Sequence, residues 1–441
     1  MSKIWIKNCI LVPMVKSLAD SGDLYYRGEI AIEDNKLKLV GPVGTVNSNW
    51  QADIIIDGTN LVALPGFINT HTHAAMTLLR SYADDLPLMQ WLEQKIWPLE
   101  AKMTGEDIYW GTQLCILEML LSGTTTFVDM YDFMPQVAKA VEETGIRACL
   151  ARGVIGTGEN AERGLIESEN FIQNWHGKAN GRIITMLGPH APYTCPPDYL
   201  RKIIKLAEKL QVGIHIHVAE TEGEIATIGQ EYGKTPVALL ADIGLFDYPT
   251  LAAHCVYVNE EDIAILKKKN VGVAHNPESN MKLGSGIAPV PAMLKAGIPV
   301  ALGTDGASSN NNLDMLEEMR TAALLHKVNT KDPTVITSYQ ALEMATKNGA
   351  AALGLQDKIG MLKPGMLADV ILFNINKPHL YPRHDILAHL VYSAQSSDID
   401  TVIVDGKILV QNGTAKNFAV EQICAEIETR AMALAGKPLN R

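Results

Sequence analysis

Between Gly123 and Asp305 the sequence alternates short β-branched runs with longer stretches of helical periodicity. The strand candidates are TTTFVDM, IRACLARGV, RIITMLGPH, VGIHIHV, TLAAHCVY, VGVAHNP and PVALGTD. Together with the apolar run LVALPGFINT before His71, they make about eight strands, which is the number that closes a parallel barrel. Most of these runs are apolar without alternation, as expected for strands that are buried on both faces. We therefore predict an α/β fold, a (β/α)8 TIM-like barrel.

The two ends of the chain differ from this central part. Residues 2 to about 60 and residues from about 363 onward show short strands joined by turns, as in GEIAIEDNKLKLVG and TVIVDGKILVQNG. We predict that residues 1–60 and 363–441 build one small β-sandwich domain from both termini, with a C-terminal helix over Val420 to Leu434. Residues 61–362 are then the barrel domain.

Charge and cysteine usage exclude several classes of protein. The net charge is −11, and no lysine or arginine cluster is dense enough to predict nucleic acid or an anionic membrane as a partner. The six cysteines form no CxxC pair, which is typical of a reducing compartment. The start of the chain lacks the layout of a signal peptide, and no apolar run is long enough to span a membrane. We therefore expect a cytoplasmic protein of the size of an enzyme.

Residues of metal-ligand type lie at the ends of the predicted strands. Two histidines at positions i and i+2 point to the same side of a strand, so both can reach one metal ion. Since the carboxyl ends of barrel strands meet at one mouth, residues from distant strands converge there. These residues are His71, His73, His217, His254 and Asp305. We predict a catalytic metal centre at this mouth.

Each residue of this set has an expected role. His71, His73 and His217 supply nitrogen ligands, and Asp305 supplies an oxygen ligand that also accepts a proton from the attacking water. Glu220 stands beyond the strand end, where it could face the substrate and move protons without binding the metal.

The expected positions of His254, His215 and His275 around this centre differ. His254 is expected to hydrogen-bond the attacking water. His215 is an alternative ligand, but His217 is favoured because it lies nearer the strand end, with His215 on the same face one layer deeper. His275 is left open between support of a ligand, substrate contact and packing.

The motifs PGFINTHTH, HIHVAE, GTDG and KPGMLADVILFN, together with His254, resemble the amidohydrolase superfamily over essentially the whole chain. Binuclear members carry a carboxylated lysine at the end of strand four, whereas here that strand ends in His190. The resemblance is therefore to the mononuclear aminohydrolases. It implies one divalent metal per subunit, with zinc as the expected ion, and it allows a homo-oligomer.

Within this superfamily, the segments QWLEQKIWPLE, GTTTFVDMY, ARGV and LGPHAPYTC are similar to a subfamily that deaminates thioether nucleosides of adenine. That resemblance implies that Glu100 binds the ribose hydroxyls, that Arg152 meets the far end of the substrate and that His190 contacts the purine ring. Whether Arg163 also contacts the tail is left open.

The implied reaction is hydrolytic deamination of the adenine ring of 5'-methylthioadenosine and S-adenosylhomocysteine by a metal-bound hydroxide. Glu220 would bind and protonate the ring, while His254 and Asp305 hold the hydroxide and take its proton. The alternatives are a mononuclear aminohydrolase acting on adenosine, guanine, cytosine or an s-triazine, a binuclear cyclic-amide hydrolase, and an inactive barrel that serves as a scaffold.

Overall fold

The computed structural model describes residues 2–15 and 22–438. Residues 1, 16–21 and 439–441, which belong to the predicted terminal domain, lie outside the described residues. The strands that precede the barrel are β1 (Lys3–Leu11), β2 (Tyr26–Glu33), β3 (Lys36–Pro42), β4 (Ile54–Asp57) and β5 (Leu61–Pro65). The barrel strands are β6 (Phe67–Thr72), β7 (Thr124–Tyr131), β8 (Arg147–Val154), β9 (Ile183–Pro189), β10 (Gly213–Val218), β11 (Thr250–His254), β12 (Gly272–His275) and β13 (Val300–Leu302). The last strands are β14 (Val370–Asn374), β15 (Ile399–Val404), β16 (Lys407–Gln411) and β17 (Thr414–Ala415).

Helices connect the barrel strands and extend the C-terminus. Those before β10 are α1 (Leu88–Trp91), α2 (Trp97–Glu100), α3 (Gly105–Leu121), α4 (Met134–Thr144), α5 (Ala161–Trp175), α6 (Lys178–Gly181) and α7 (Pro197–Leu210). Those after β10 are α8 (Glu222–Tyr232), α9 (Pro236–Asp242), α10 (Glu260–Lys268), α11 (Pro277–Lys282), α12 (Val290–Lys295), α13 (Met315–Thr330), α14 (Ser338–Ala345), α15 (Lys347–Ala352), α16 (Ile386–Ala388) and α17 (Val420–Ala435).

The eight central strands form one parallel sheet in the order β13 to β6. Polar contacts join its two ends: the Thr70 hydroxyl donates to the Leu302 carbonyl at 2.7 Å, and the Asp305 N–H donates to the His71 carbonyl at 2.9 Å. The predicted barrel is confirmed. Its closure places the ends of β6 and β13 side by side, with the predicted ligands that follow them.

Strands from both termini form a second, nine-stranded sheet, in the order β17-β16-β15-β14-β5-β1-β2-β3 with β4 beside β1. The predicted composite of the two termini is confirmed, since the C-terminal β14 pairs antiparallel with the N-terminal β5. The predicted C-terminal helix is α17. The domain boundaries at residues 60 and 363 remain a prediction, and β5 pairs in this second sheet although it follows the first boundary.

The apolar run before His71 is not one strand, as counted from the sequence, but two strands in different sheets. The chain leaves the terminal sheet after β5 and enters the barrel at β6, with Gly66 between them. A Cβ atom at Gly66 would lie 2.0 Å from Thr125 Oγ1, so only glycine allows this close approach. Continuous hydrophobicity does not reveal a change of sheet, because both strands are buried throughout.

A buried ion pair joins the two sheets. Arg147, at the start of β8, donates to both carboxylate oxygens of Asp369, which precedes β14, at 2.9 and 3.1 Å. Both side chains are at most 5% exposed. Loss of the nearer carboxylate is costly for a buried guanidinium, because the second one, Asp405 at 3.5 Å, replaces it only in part.

We therefore expect Asp369→Ala to lower the free energy of unfolding by about 3–5 kcal/mol. Chemical denaturation of this variant and of Glu421→Ala, which removes an exposed carboxylate from α17, measures the effect. A loss in Asp369→Ala no greater than that in Glu421→Ala would show that the pair does not hold the sheets together.

Candidate active site

Five polar side chains from four barrel strands converge at the carboxyl end of the barrel. Two groups of three side chains each bring their ligand atoms within 4.8 Å of one another. The first group is His71, His73 and His217, and the second is His71, His254 and Asp305. The parallel barrel explains this convergence, since β6, β10, β11 and β13 all end at this mouth. The residues that the sequence predicted to meet therefore do meet.

Hydrogen bonds to one ring nitrogen orient each imidazole. His73 Nδ1 lies 2.7 Å from the Met130 carbonyl and His217 Nδ1 lies 2.6 Å from the His190 carbonyl, so each Nδ1 donates and leaves Nε2 for the centre. His71 Nδ1 lies 3.0 Å from Nε2 of His215, which is thus behind His71.

Asp305 supplies the negative charge of the centre. Its Oδ1 lies 3.5 Å from His71 Nε2 and 3.3 Å from His73 Nε2, while Oδ2 accepts a hydrogen bond from the Ser279 hydroxyl at 2.6 Å. Burial alone would raise the pKa of Asp305, but the adjacent His71 imidazole and the charge interactions with His73 and His254 hold that pKa well below the usual range. The carboxylate is therefore ionised.

The chemistry of this donor set fits a divalent cation. Burial lowers the pKa of His71 to about 4 and the pKa of His217 well below its usual value, so both rings are neutral at pH 7, as metal ligands must be. His71 Nε2 is buried and has no hydrogen-bond partner among the described residues, which costs free energy unless a cation occupies the centre. Imidazole nitrogens with one carboxylate are the ligands of catalytic zinc sites.

The backbone is strained around these side chains. His254 has φ 72°, Asp305 has φ 61° and Ala219, directly before Glu220, has φ 53°, although none of them is glycine. The Glu224 carboxylate accepts hydrogen bonds from the N–H groups of Ala219 and Glu220 at 2.9 and 3.0 Å, which fixes this turn. Glu224 was not predicted from the sequence, where its only signal is its position four residues after Glu220, in HVAETEGE.

Glu220 is buried beside the centre and lines the cleft. Its Oε2 lies 3.9 Å from His254 Nε2, and burial raises the pKa of its carboxyl group. His254 Nδ1 lies 2.9 Å from Asn280 Oδ1 and donates to it, which leaves Nε2 to face Glu220. The pair can carry protons between a water molecule and a substrate. Asn280, in the segment AHNPESN, was also missed from the sequence.

A cleft of about 320 Å³ opens at this mouth, a volume suited to a small molecule. Its wall is largely apolar, with Leu88, Trp91 and Trp97 from the α1–α2 segment. Glu100 also lines it and accepts a hydrogen bond from the Tyr131 hydroxyl at 2.5 Å. Burial raises the pKa of Glu100.

His190 lines the same cleft, and its Nδ1 lies 2.9 Å from Thr194 Oγ1. Burial lowers the pKa of His190 to about 4, so this ring meets a substrate uncharged. His275 does not line the cleft; its Nε2 lies 3.1 Å from Nε2 of His326 in the buried interior. Of the roles left open for His275, this position favours packing.

Arg152 also lines the cleft, but its charge is already paired. Its Nη2 lies 3.0 Å from the Glu167 carboxylate and 3.1 Å from the Asp132 carboxylate. Arg163 binds Glu167 as well, at 2.6 Å, with a side chain that is 72% exposed. Arg163 is not among the residues that line the cleft.

The comparisons with known proteins agree with this geometry. The sequence model of the amidohydrolase family matches residues 62–409. A 5-methylthioadenosine/S-adenosylhomocysteine deaminase of Pelotomaculum thermopropionicum is 59% identical over 414 residues, 94% of this chain and 95% of that protein. One of Syntrophomonas wolfei, with the same name, is 57% identical and covers 99% of this chain and 100% of its own length. The crystal structure of an adenosine deaminase from Xanthomonas campestris with bound zinc is 31% identical, with a TM-score of 0.94 and coverage of 99% of both chains.

No helix among residues 2–15 and 22–438 combines the length and the hydropathy that a membrane crossing requires.

Proposed function

The chain belongs to the amidohydrolase family, and we propose that it replaces the C6 amino group of the adenine ring of 5'-methylthioadenosine and S-adenosylhomocysteine with oxygen from water. It is a hydrolytic enzyme that acts on C–N bonds. One observation carries the choice of substrate: the same cleft holds the His–Asp centre with Glu220 and a partly buried carboxylate, Glu100, that is suited to a diol. The names of the two relatives support this choice.

The centre fits one divalent ion, and zinc is our proposal because the Xanthomonas campestris structure binds it. His71, His73, His217 and Asp305 would hold this ion. When bound, such an ion lowers the pKa of a water molecule and so supplies a nucleophile at neutral pH.

Glu220 moves one proton of the reaction. Because burial raises its pKa, Glu220 can hold a proton and give it to N1 of the ring as the water oxygen adds to C6. Asp305 and His254 take the other proton of the water and pass it to the amino group. The C6–N bond then breaks, ammonia leaves and the ring becomes hypoxanthine. An unrelated class of nucleobase deaminases also uses a glutamate that is not a metal ligand as its general acid and base.

The rest of the cleft orients the nucleoside. The two ribose hydroxyls donate hydrogen bonds to the Glu100 carboxylate, which the Tyr131 hydroxyl holds in place. His190, uncharged, lies against the purine, and Arg152 is placed towards the 5' end of the substrate. A free base such as guanine or cytosine, or an s-triazine, has no diol to satisfy Glu100.

The test of this assignment is Glu100→Gln. We expect kcat/KM for 5'-methylthioadenosine to fall by about tenfold to 100-fold, because a charged acceptor of two hydroxyls is lost. The measurement is the rate of ammonia release. Glu93→Gln, an exposed position in the same segment, should match the unaltered protein.

The same assay with guanine and cytosine separates the alternatives. If the unaltered enzyme deaminates a free base faster than the nucleoside, or if Glu100→Gln affects neither, the nucleoside assignment fails. A cytoplasmic location is part of the proposal; its support is that the six cysteines are all unpaired. A homo-oligomer remains a prediction.

A further inference from the structure

The mouth of the cleft holds a carboxylate, Asp132, that the proposed mechanism does not use. Asp132 follows Tyr131, whose hydroxyl binds Glu100. Both Asp132 and Arg152 line the cleft, and Asp132 Oδ1 lies 3.1 Å from Arg152 Nη2. A pair of opposite charges therefore lies directly beyond the tyrosine that orients the proposed ribose ligand.

The guanidinium of this pair is committed to protein groups. Arg152 Nε and Nη2 donate to Glu167 at 3.1 and 3.0 Å, and Nη1 donates to the Gly153 carbonyl. Glu167 in turn also binds Arg163. Each nitrogen of Arg152 therefore has a protein partner, but a guanidinium has five N–H donors, and one N–H of Nη1 is left for an anion.

Asp132 is less constrained. Its side chain is 51% exposed, and its contacts with Arg152 and with the Phe133 N–H, at 2.6 Å, use the same oxygen, Oδ1. Within the described part of the chain no hydrogen bond is found for Oδ2. A carboxylate has about four acceptor sites on its two oxygens, so Asp132 retains capacity for a donor from the substrate.

We propose that Asp132 binds a primary ammonium group at the outer end of the substrate. A tail that carries both an ammonium and a carboxylate group is then recognised as a zwitterion, the ammonium by Asp132 and the carboxylate by Arg152. The inference rests on the proposed function, since the nucleoside must occupy the inner cleft. An ammonium group has three donors, and its hydrogen bonds to a carboxylate are charge-assisted. The ion pairs of the tail with Asp132 and with Arg152 carry no net charge between them.

The test compares thioether nucleosides that differ only in the tail. They are 5'-methylthioadenosine, S-adenosylhomocysteine and the aminopropyl thioether of adenosine, whose tail has an ammonium group and no carboxylate. We expect Asp132→Asn to lower kcat/KM for the two ammonium-bearing substrates by about tenfold, and to change it for 5'-methylthioadenosine by less than about twofold. Asparagine keeps the acceptor for the Phe133 N–H.

Glu167→Gln is the matched control. It removes a carboxylate that also pairs with Arg152 but does not line the cleft, and it should not lower the rate for the aminopropyl substrate relative to 5'-methylthioadenosine. An equal loss in both variants would show a general charge effect and overturn the proposal. A gain for S-adenosylhomocysteine in Asp132→Asn would overturn it too, because Asp132 would then only screen Arg152.

Failure of the proposed function is distinguishable from failure of this inference. Turnover of 5'-methylthioadenosine by the unaltered enzyme tests the function alone, since that substrate has no ammonium group. If none of the three compounds reacts, titration calorimetry on the metal-loaded protein makes the same comparison by affinity. Equal weakening of all three compounds in Asp132→Asn, by rate or by affinity, would overturn the role of Asp132.

Discussion

Glu220→Gln is expected to retain the metal and to lose activity by about 10²-fold to 10⁴-fold, the range for loss of a general acid and base. Glutamine has nearly the same shape and keeps a hydrogen-bonding oxygen, but it cannot receive a proton from water and give it to N1. Glu224 would still hold the backbone of this turn through the Ala219 and Glu220 N–H groups. The loss should therefore fall on kcat rather than on KM.

The measurement is steady-state deamination of 5'-methylthioadenosine together with metal analysis of the same sample. Glu222→Gln, two residues further along and exposed at the start of α8, is the matched control and should behave as the unaltered enzyme. Normal kcat in Glu220→Gln with metal bound would remove Glu220 from the mechanism. Loss of the metal would instead make Glu220 part of the metal centre.

Removal of a proposed metal ligand should lower activity to a similar extent, but through loss of the metal. We expect His217→Ala to fall from about one metal ion per chain to a small fraction of this value, because three protein ligands are left of four. Its activity should fall by about 10³-fold, since several kcal/mol of metal catalysis is lost. A strong chelator should inactivate the unaltered protein, and a divalent ion should restore it.

His254 provides the sharpest comparison, because its ring also lies within reach of the centre. If His254 contacts the attacking water and is not a ligand, His254→Asn should keep the metal while it loses turnover. Loss of the metal in His254→Asn with retention in His217→Ala would reverse the two assignments. Two ions per chain in the unaltered protein would favour the binuclear alternative. His384→Ala, at an exposed histidine, should change neither property.

The strands and the convergence of their last residues could be predicted because both depend on local patterns. Apolar runs that end in His217, His254 or Asp305 place those side chains at one mouth once the strands are parallel. The spacing of His71 and His73 puts them on one side of the same strand. The division of the run around Gly66 could not be predicted, since it depends on the approach of Thr125 from another strand.

The side chains that hold His254 and Asp305 in position could not be predicted from the sequence either. Asn280 contacts His254 and Ser279 contacts Asp305 only because α11 follows β12 across the mouth. The pairing of Arg152 with Asp132 and Glu167 joins three separate segments, so the family resemblance implied an arginine in the cleft but not that its charge is shared. The buried contact between His275 and His326 also joins distant segments, β12 and α13, and could not be predicted for the same reason.

In the proposed reaction, the oxygen of water replaces the C6 amino group of a thioether nucleoside. We would incubate the metal-loaded protein with 5'-methylthioadenosine in water enriched in heavy oxygen and analyse the product by mass spectrometry. We expect 5'-methylthioinosine that carries one solvent oxygen on the purine ring, with one ammonia released for each nucleoside consumed. Release of free adenine, or unchanged substrate in the presence of bound metal, would contradict it.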